Sequence, residues 1–216
     1  MRKSISAQII LITAMTVMLW APAAMSDTIT IKYGAYYSGS GVGAGGGEFL
    51  ITGNSGALQG QSFLTFCLEK NEYFYIGGTY DYKITDAADA GGAGGPSPDP
   101  LSVGSAYLYY QFVTNQLGTL AITSSTLAGQ FQEAIWYLEN EITSITPGNP
   151  YYDLATKVAN YSSNANGAYG VYVLNLTDAS GKHQDQLVCV PESSTLLLLG
   201  AGLLFVAAYR KRYANI

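Results

Sequence analysis

The chain has 216 residues, of which 48% are hydrophobic, with 25 glycines, 10 basic and 15 acidic side chains. Five of the basic residues lie in the two terminal segments, so residues 27–189 carry five basic and fourteen acidic residues, a net charge of −9. A body this acidic argues against nucleic acid and anionic lipid as partners.

The first 26 residues have the pattern of a secretory signal peptide. Two basic residues near the start precede an apolar stretch over 9–20, and A-M-S at 24–26 offers small residues at the positions that a signal peptidase reads. We expect signal peptidase to cut after Ser26 and the rest of the chain to be exported. Residues 27–189 then form one domain, which is long enough to bury a core.

The first half of this domain has the patterns of β-strands separated by glycine-rich loops. Apolar residues alternate with polar ones or form short continuous runs, and the intervening loops are predicted over 38–47 and 86–100. The predicted strands, one of which contains Cys67, cover 28–33, 47–52, 62–69 and 79–84.

The middle of the domain changes to helical spacing. The clearest helix is predicted over 126–142, where apolar residues form a single stripe, and weaker helices are predicted over 103–117 and 150–161. Strands return over 169–176 and 186–190. This order predicts an α+β fold in which antiparallel β-strands surround a central group of about three helices.

Few residues of the chain suggest catalysis. The single histidine, His183, lies in a G-K-H-Q-D run that we interpret as an exposed turn. No Ser/His/Asp order, metal-ligand spacing or phosphate-binding loop can be assembled. We therefore expect a protein that is not an enzyme and that uses no metal and no cofactor.

Two short segments together resemble the thioester domains of bacterial surface adhesins: T-F-C-L-E at 65–69 and F-Q-E-A-I-W at 131–136. In that family, a cysteine between an aromatic and an aliphatic residue is joined to the glutamine of a T-Q-x-A-[IV]-W segment. The order, the flanking residues and the A-I-W ending match, with Phe131 in place of the family's threonine. The resemblance implies a thioester between Cys67 and Gln132, screened from water by Phe63, Phe66, Phe131, Ile135 and Trp136.

Such a bond would make the protein a covalent adhesin. The Cys67 thiolate would attack the Gln132 carboxamide with loss of ammonia, aided by the proximity that a strand and a helix fix. An amine on a target surface, or on a polysaccharide matrix, would later open the thioester.

Two other states of the cysteines remain open. Cys67 could be a small buried hydrophobic residue with a free thiol, or it could form a disulfide with Cys189, as paired cysteines in exported domains often do. Either state would leave a structural surface protein or one that binds carbohydrate or matrix without a covalent bond. Tyrosine-rich segments, including Tyr109 and Tyr151, would then offer the contact surfaces.

The last 27 residues have three parts in a fixed order: a short motif, thirteen residues without a polar side chain over 196–208, and a basic end. This order resembles the PEP-CTERM sorting signal of Gram-negative bacteria, which an exosortase cuts. The motif consists of Val190, Pro191, Glu192 and Ser193, with Ser193 in place of the family's second proline, and the basic end consists of Arg210, Lys211 and Arg212.

The apolar stretch of this tail is short for a membrane span. At about 1.5 Å per residue, a helix over it is about 20 Å long, whereas the hydrocarbon core is about 30 Å thick. A marginal span suits a temporary anchor in the inner membrane, with the basic end in the cytoplasm. The resemblance therefore implies contact with an exosortase during export and a mature form at the cell surface or in the extracellular matrix, while an anchor that is never cut remains the alternative.

Overall fold

The computed structural model describes residues 26–89, 91, 93 and 95–190. The predicted signal peptide up to residue 25 and the predicted sorting tail from residue 191 onward lie outside the described residues. Within them, no helix combines the length and the apolar character that a membrane span requires.

The domain combines an antiparallel sheet of six strands with three helices, which confirms the predicted α+β class. The strands are β1 (Thr28–Ser38), β2 (Gly46–Gly53), β3 (Ser62–Thr65), β4 (Thr79–Thr85), β5 (Ala87–Ala88), β6 (Asp99–Pro100), β7 (Val171–Asp178) and β8 (Gly181–Cys189), and the helices are α1 (Val103–Val113), α2 (Ser125–Leu138) and α3 (Pro150–Ala155). The large sheet has the order β3-β2-β1-β4-β7-β8, and β5 pairs only with β6.

The helices begin and end where side chains and backbone angles dictate. Ser102 and Ser124 accept hydrogen bonds from backbone N–H groups in the first turns of α1 and α2, as N-cap serines do. Asn115 and Asn140 adopt φ values of 56° and 62° just after the two helices, and this left-handed conformation stops a helix. The left-handed Asn140 explains why α2 ends at Leu138, before the predicted end at residue 142.

Other boundaries also differ from the sequence-based expectation. The predicted loop over 86–100 contains the short ribbon of β5 and β6, α3 ends at Ala155, and β8 begins at Gly181, five residues before the predicted start of its strand. The hairpin between β7 and β8 is tight, because Asp178 pairs with Gly181. Gly181 has a φ of 129°, which a residue with a side chain rarely adopts.

The two outer edges of the sheet meet through the segment that follows β3. The strand predicted over 62–69 ends at Thr65, and the next residues pair with β8 instead of continuing along β2. Thr65 Oγ1 donates to Leu187 O (2.6 Å), Leu187 N donates to Phe66 O (3.1 Å), and Leu68 N donates to Asp185 O (3.0 Å). The sheet therefore closes on itself at residues 65–68, and Cys67 lies in this closure rather than within a strand.

Closure of the sheet separates two hydrophobic clusters. One lies between the sheet and the helices and includes Phe66, Phe131 and Ile135. The other is formed by side chains from β1, β2, β4, β7 and β8 on the opposite face, and it includes Cys67. Because side chains alternate along an extended chain, Phe66 and Cys67 point to opposite sides of the sheet.

Candidate functional site

Cys67 is wholly buried at the junction between the two sheet edges. Its backbone forms an isolated antiparallel bridge with Gln186 of β8, and its side chain has no solvent exposure. The closure of the sheet thus places the thiol beside β8, more than a hundred residues further along the chain.

Gln132 of α2 holds the backbone of Cys67. Its Oε1 accepts hydrogen bonds from Cys67 N and from Gly47 N, both at 3.0 Å, and its Nε2 donates to Cys67 O at 2.8 Å. The carboxamide therefore pairs with Cys67 as a neighbouring strand would. The sequence-based expectation that Cys67 and Gln132 lie together, although 65 residues apart, holds in this geometry, but the contact is to the Cys67 backbone.

The thiol itself contacts two other glutamines. Cys67 Sγ donates to Gln184 Oε1 at 3.0 Å, and Gln186 Nε2 donates to Sγ at 3.5 Å. The other end of the Gln184 carboxamide is also hydrogen-bonded, because its Nε2 donates to the backbone oxygen of Glu69. Gln184 and Gln186 are 4% and 0% exposed, so the thiol and both carboxamides are sealed from water.

A β-bulge lies beside the two glutamines, which are alternate residues of β8 and so can share one face of the strand. Leu174 of β7 pairs with Gln186, whereas Leu176 pairs with His183, so β8 has one extra residue between these pairs. Asp185 sits at the bulge, where its side chain accepts from Leu176 N at 3.1 Å and from Asp89 N at 2.9 Å. These bonds hold the bulge in place.

Burial controls the charge of the ionisable groups around the thiol. It raises the pKa of the Cys67 thiol strongly, and the hydrogen bond from Gln186 offsets this only in part. Burial also raises the pKa of Glu69, and the neighbouring Asp185 and Glu72 carboxylates raise it further. At neutral pH the thiol and Glu69 are therefore both protonated, and the site carries little charge.

The sequence did not single out Gln184, Gln186 or Glu69 as site residues. A Q-D-Q triplet follows His183, but the strand was predicted to start at residue 186, so Gln184 was placed in a turn. His183 was expected in an exposed turn, and that interpretation is wrong. It is 7% exposed, its Nε2 lies 2.9 Å from Asp178 Oδ1, and its Nδ1 lies 3.2 Å from Tyr73 O.

The five predicted pocket residues do not form one pocket around the sulfur. Phe66 and Phe131 pack with ring centroids 4.5 Å apart and ring planes tilted by 43°, and they belong, with Ile135, to the cluster on the helical side. Phe63 packs against the cluster that contains Cys67. Trp136 is 3% exposed, and Lys70 Nζ lies 5.9 Å from the centre of its ring.

Cys67 and Cys189 do not form the disulfide that the sequence left open. Both cysteines are free, and Cys189 packs against the cluster on the helical side, whereas Cys67 belongs to the cluster on the other face. The sheet itself separates the two sulfurs. The proposed tyrosine surfaces are also reduced, because Tyr109 and Tyr151 are wholly buried and donate to Leu64 O and Leu120 O.

Within residues 26–89 and 95–190, together with 91 and 93, no three His, Cys, Asp or Glu side chains are grouped so that they could hold a metal ion. The buried carboxylates instead accept hydrogen bonds from the backbone. Glu139, for example, accepts from Ser102 N at 3.3 Å and from Ser102 Oγ at 2.6 Å, and burial raises its pKa to about 7 despite these bonds.

Glu139 should make the stability of the domain depend on pH. Its pKa rises from an ordinary 4.5 to about 7 on folding, so the folded state binds the proton more tightly, and stability present below pH 4.5 is lost as the pH rises through 7. Glu139→Gln should flatten this fall, by up to about 1.4 kcal/mol per pH unit. Urea unfolding of both proteins across this range measures it, and equal slopes would contradict the assignment.

Comparisons with known proteins add one likeness. No protein-family model matches the sequence, and no curated protein matches it. Among solved structures, the N-terminal thioester domain of a surface protein from Clostridium perfringens is similar over 77% of this chain and 99% of that one, with a TM-score of 0.48 and 12% sequence identity. The chemistry of the present chain has to be judged from its own residues.

Proposed function

We propose that this chain is an exported surface protein that attaches covalently to amines through an internal thioester between Cys67 and Gln184. The observation that carries the proposal is the 3.0 Å contact between Cys67 Sγ and Gln184 Oε1 inside a site that excludes water. A C=O bond is about 1.23 Å long, so the Gln184 carboxamide carbon lies no more than about 4.2 Å from the sulfur. Attack requires about 3–3.5 Å between the reacting atoms, so the sulfur has to approach the carbon by no more than about 1 Å.

Gln184 is a better partner than Gln132, the residue that the family resemblance implies. The Gln132 carboxamide is occupied by three hydrogen bonds to backbone groups, and thioester formation there would remove Nε2 and leave Cys67 O without its partner. Gln184 presents its carbonyl oxygen to the thiol. We therefore assign Gln132 the role of positioning Cys67 and Gln184 the role of acyl donor.

The proposed chemistry has two steps. The Cys67 sulfur bonds to the Gln184 carboxamide carbon, the carbon–nitrogen bond breaks, and the thiol proton leaves with the nitrogen as ammonia. A primary amine on a target then bonds to the same carbon, and Cys67 regains its thiol. Each molecule reacts once with a target, so the protein is not an enzyme in this proposal.

Export and sorting belong to the same proposal. The signal peptide pattern over 1–26 and the PEP-CTERM-like tail over 190–216 would deliver residues 27–189 to the cell surface or extracellular matrix after exosortase cleavage. The covalent target would be an amine on a neighbouring surface or on the surrounding matrix. An acidic domain of net charge −9 favours the approach of such cationic groups.

Intact mass and peptide mapping test the proposal. The mature protein should be lighter than its sequence by one ammonia, and methylamine should then raise this mass by one whole methylamine, added at a single glutamine. Trypsin separates the two candidates, because Gln132 lies between Lys83 and Lys157 whereas Gln184 follows Lys182. We expect methylamide on Gln184.

Matched variants complete the test. Cys67→Ala should abolish both the ammonia loss and the labelling, whereas Cys189→Ala should leave both unchanged, because that sulfur lies on the other side of the sheet. Methylamide on Gln132 would instead identify Gln132 as the acyl donor, as the family resemblance implies. A mass that equals the unmodified sequence, with no labelling, would reject the thioester and leave a protein that binds without a covalent bond.

A further inference from the structure

Buried polar atoms without partners concentrate around the thiol. Among the described residues, three buried side-chain nitrogen or oxygen atoms have no hydrogen-bond partner: Glu69 Oε1, Gln186 Oε1 and Trp136 Nε1. Two of these three belong to residues that contact Cys67 or Gln184. An unsatisfied buried polar group costs about 1–3 kcal/mol, so a pair of them in one cluster calls for a functional reason.

Glu69 is hydrogen-bonded both to Gln184 and to the next residue, Asp185. Its backbone oxygen accepts from Gln184 Nε2, the nitrogen that must leave when a thioester forms. Its side-chain Oε2 accepts from Asp185 N at 2.9 Å, one residue along β8. The carboxyl group therefore lies beside the backbone of the residue that carries the reacting carboxamide, and it is only 2% exposed.

The surroundings keep this carboxyl group protonated. The titratable groups that act on Glu69 are Asp185 and Glu72, both acids, and they add to the effect of burial in raising its pKa. A buried carboxylic acid with one oxygen free of partners has a proton to give in a site from which water is absent.

We propose that Glu69 is the general acid and base of thioester formation, passing a proton to the leaving nitrogen of Gln184. This role rests on the proposed function, since it needs the thioester between Cys67 and Gln184. The step balances without any further reactant. The thiol proton passes to Gln184 Oε1, to which it is already hydrogen-bonded, as the sulfur–carbon bond forms.

Attack by the sulfur leaves a tetrahedral intermediate at the Gln184 carboxamide carbon, and Glu69 acts twice in its breakdown. The Glu69 carboxyl proton passes to Nε2, the carbon–nitrogen bond breaks and ammonia leaves. The new hydroxyl proton on Oε1 then passes to the Glu69 carboxylate as the carbonyl re-forms, which restores the acid. General acid–base catalysis of this kind is worth about a hundredfold or more in rate.

Formation of the thioester, called closure in the experiments below, can be followed from a defined starting point. Ammonium at high concentration opens the thioester and regenerates Gln184 and the Cys67 thiol, which is the protein before reaction. Removing the ammonium by rapid desalting starts closure, and intact mass at successive times gives its rate and its final extent. Glu69→Gln keeps the size of the side chain and an acceptor for Asp185 N, and it should close about a hundred times more slowly than the wild type.

The final extent separates catalysis from structure. A catalytic group changes the rate and leaves the equilibrium between open and closed forms unchanged, so Glu69→Gln should reach the wild-type closed fraction at a fixed residual ammonium concentration. The control Asp153→Asn removes an exposed acid of α3 that is not among the groups that raise the pKa of Glu69, and its rate should stay within about threefold of the wild type. A normal rate in Glu69→Gln, or a lowered final fraction, would overturn the proposal.

The wild-type protein provides a second test that does not depend on the folding of a variant. Thioester formation limited by the Glu69 acid should keep its rate above neutrality and slow only as the pH rises through about 10, where Glu69 loses its proton, whereas thioester formation limited by the Cys67 thiolate should accelerate throughout. Acceleration would exclude Glu69 as the acid while leaving the thioester in place. A wild-type protein that never loses ammonia would reject the thioester itself, and Glu69 with it.

Discussion

Replacing Gln132 with methionine should destabilise the domain by about 4 kcal/mol. Methionine has nearly the same length and volume, so the loss comes from three buried hydrogen bonds, whose backbone partners at Cys67 and Gly47 would stay buried and unpaired. The free energy of unfolding in urea measures the effect. Because the carboxamide also fixes the Cys67 backbone, we expect slower ammonia loss in the variant that still folds.

Gln130→Met is the matched control for this prediction. Gln130 lies on the same helix two residues away, is half-buried, and its side chain makes no hydrogen bond in the described structure. Its replacement should change the free energy of unfolding by less than about 0.5 kcal/mol. Equal effects of the two substitutions would mean that Gln132 is not the residue that positions the cysteine.

Gly129→Ala should destabilise the domain by about 3 kcal/mol, although alanine is normally the better helix former by about 1 kcal/mol. Gly129 lies inside α2, where a Cβ would come within 2.1 Å of Val42 O and 2.7 Å of Ser38 Oγ. On the loop side of the same contact, Gly43 lies against the backbone oxygen of Gly129 and has a φ of 67°. The loop and the helix can pack this closely only because both positions are glycine.

The loop that Gly129 supports leads into Gly46 and Gly47, which contact Gln132, so the substitution should also displace the residue that positions Cys67. Thermal unfolding and the rate of ammonia loss measure the two effects. Gly104→Ala is the comparison within α1, because its Cβ would meet Leu138 Cδ2 at 3.1 Å, the end of a flexible side chain, with Tyr161 O at 3.2 Å. We expect a cost below about 1 kcal/mol there, and a stabilised Gly129→Ala protein would contradict the packing argument.

Periodicity in the sequence was sufficient for the fold class and for the helix that carries Gln132. The apolar stripe of α2 and its capping serine are local features, and local features are what a linear pattern encodes. The nearness of Gln132 to Cys67 was also anticipated, but from the resemblance of two short motifs to a known family. Neither source could say whether the carboxamide meets the sulfur or the backbone, since that depends on a few ångströms of packing.

The tertiary structure alone decided which residues surround the sulfur. Gln184 is 117 residues from Cys67 in sequence, and the two meet because the sheet closes on itself. This closure depends on pairing between segments far apart in the chain, and no local pattern encodes it. The same closure places Cys189 on the opposite side of the sheet from Cys67, so the pairing that a count of cysteines permits is excluded by geometry. Local patterns predicted the elements, and the motif resemblance singled out Cys67 and Gln132, whereas long-range strand pairing decided which side chains contact the thiol.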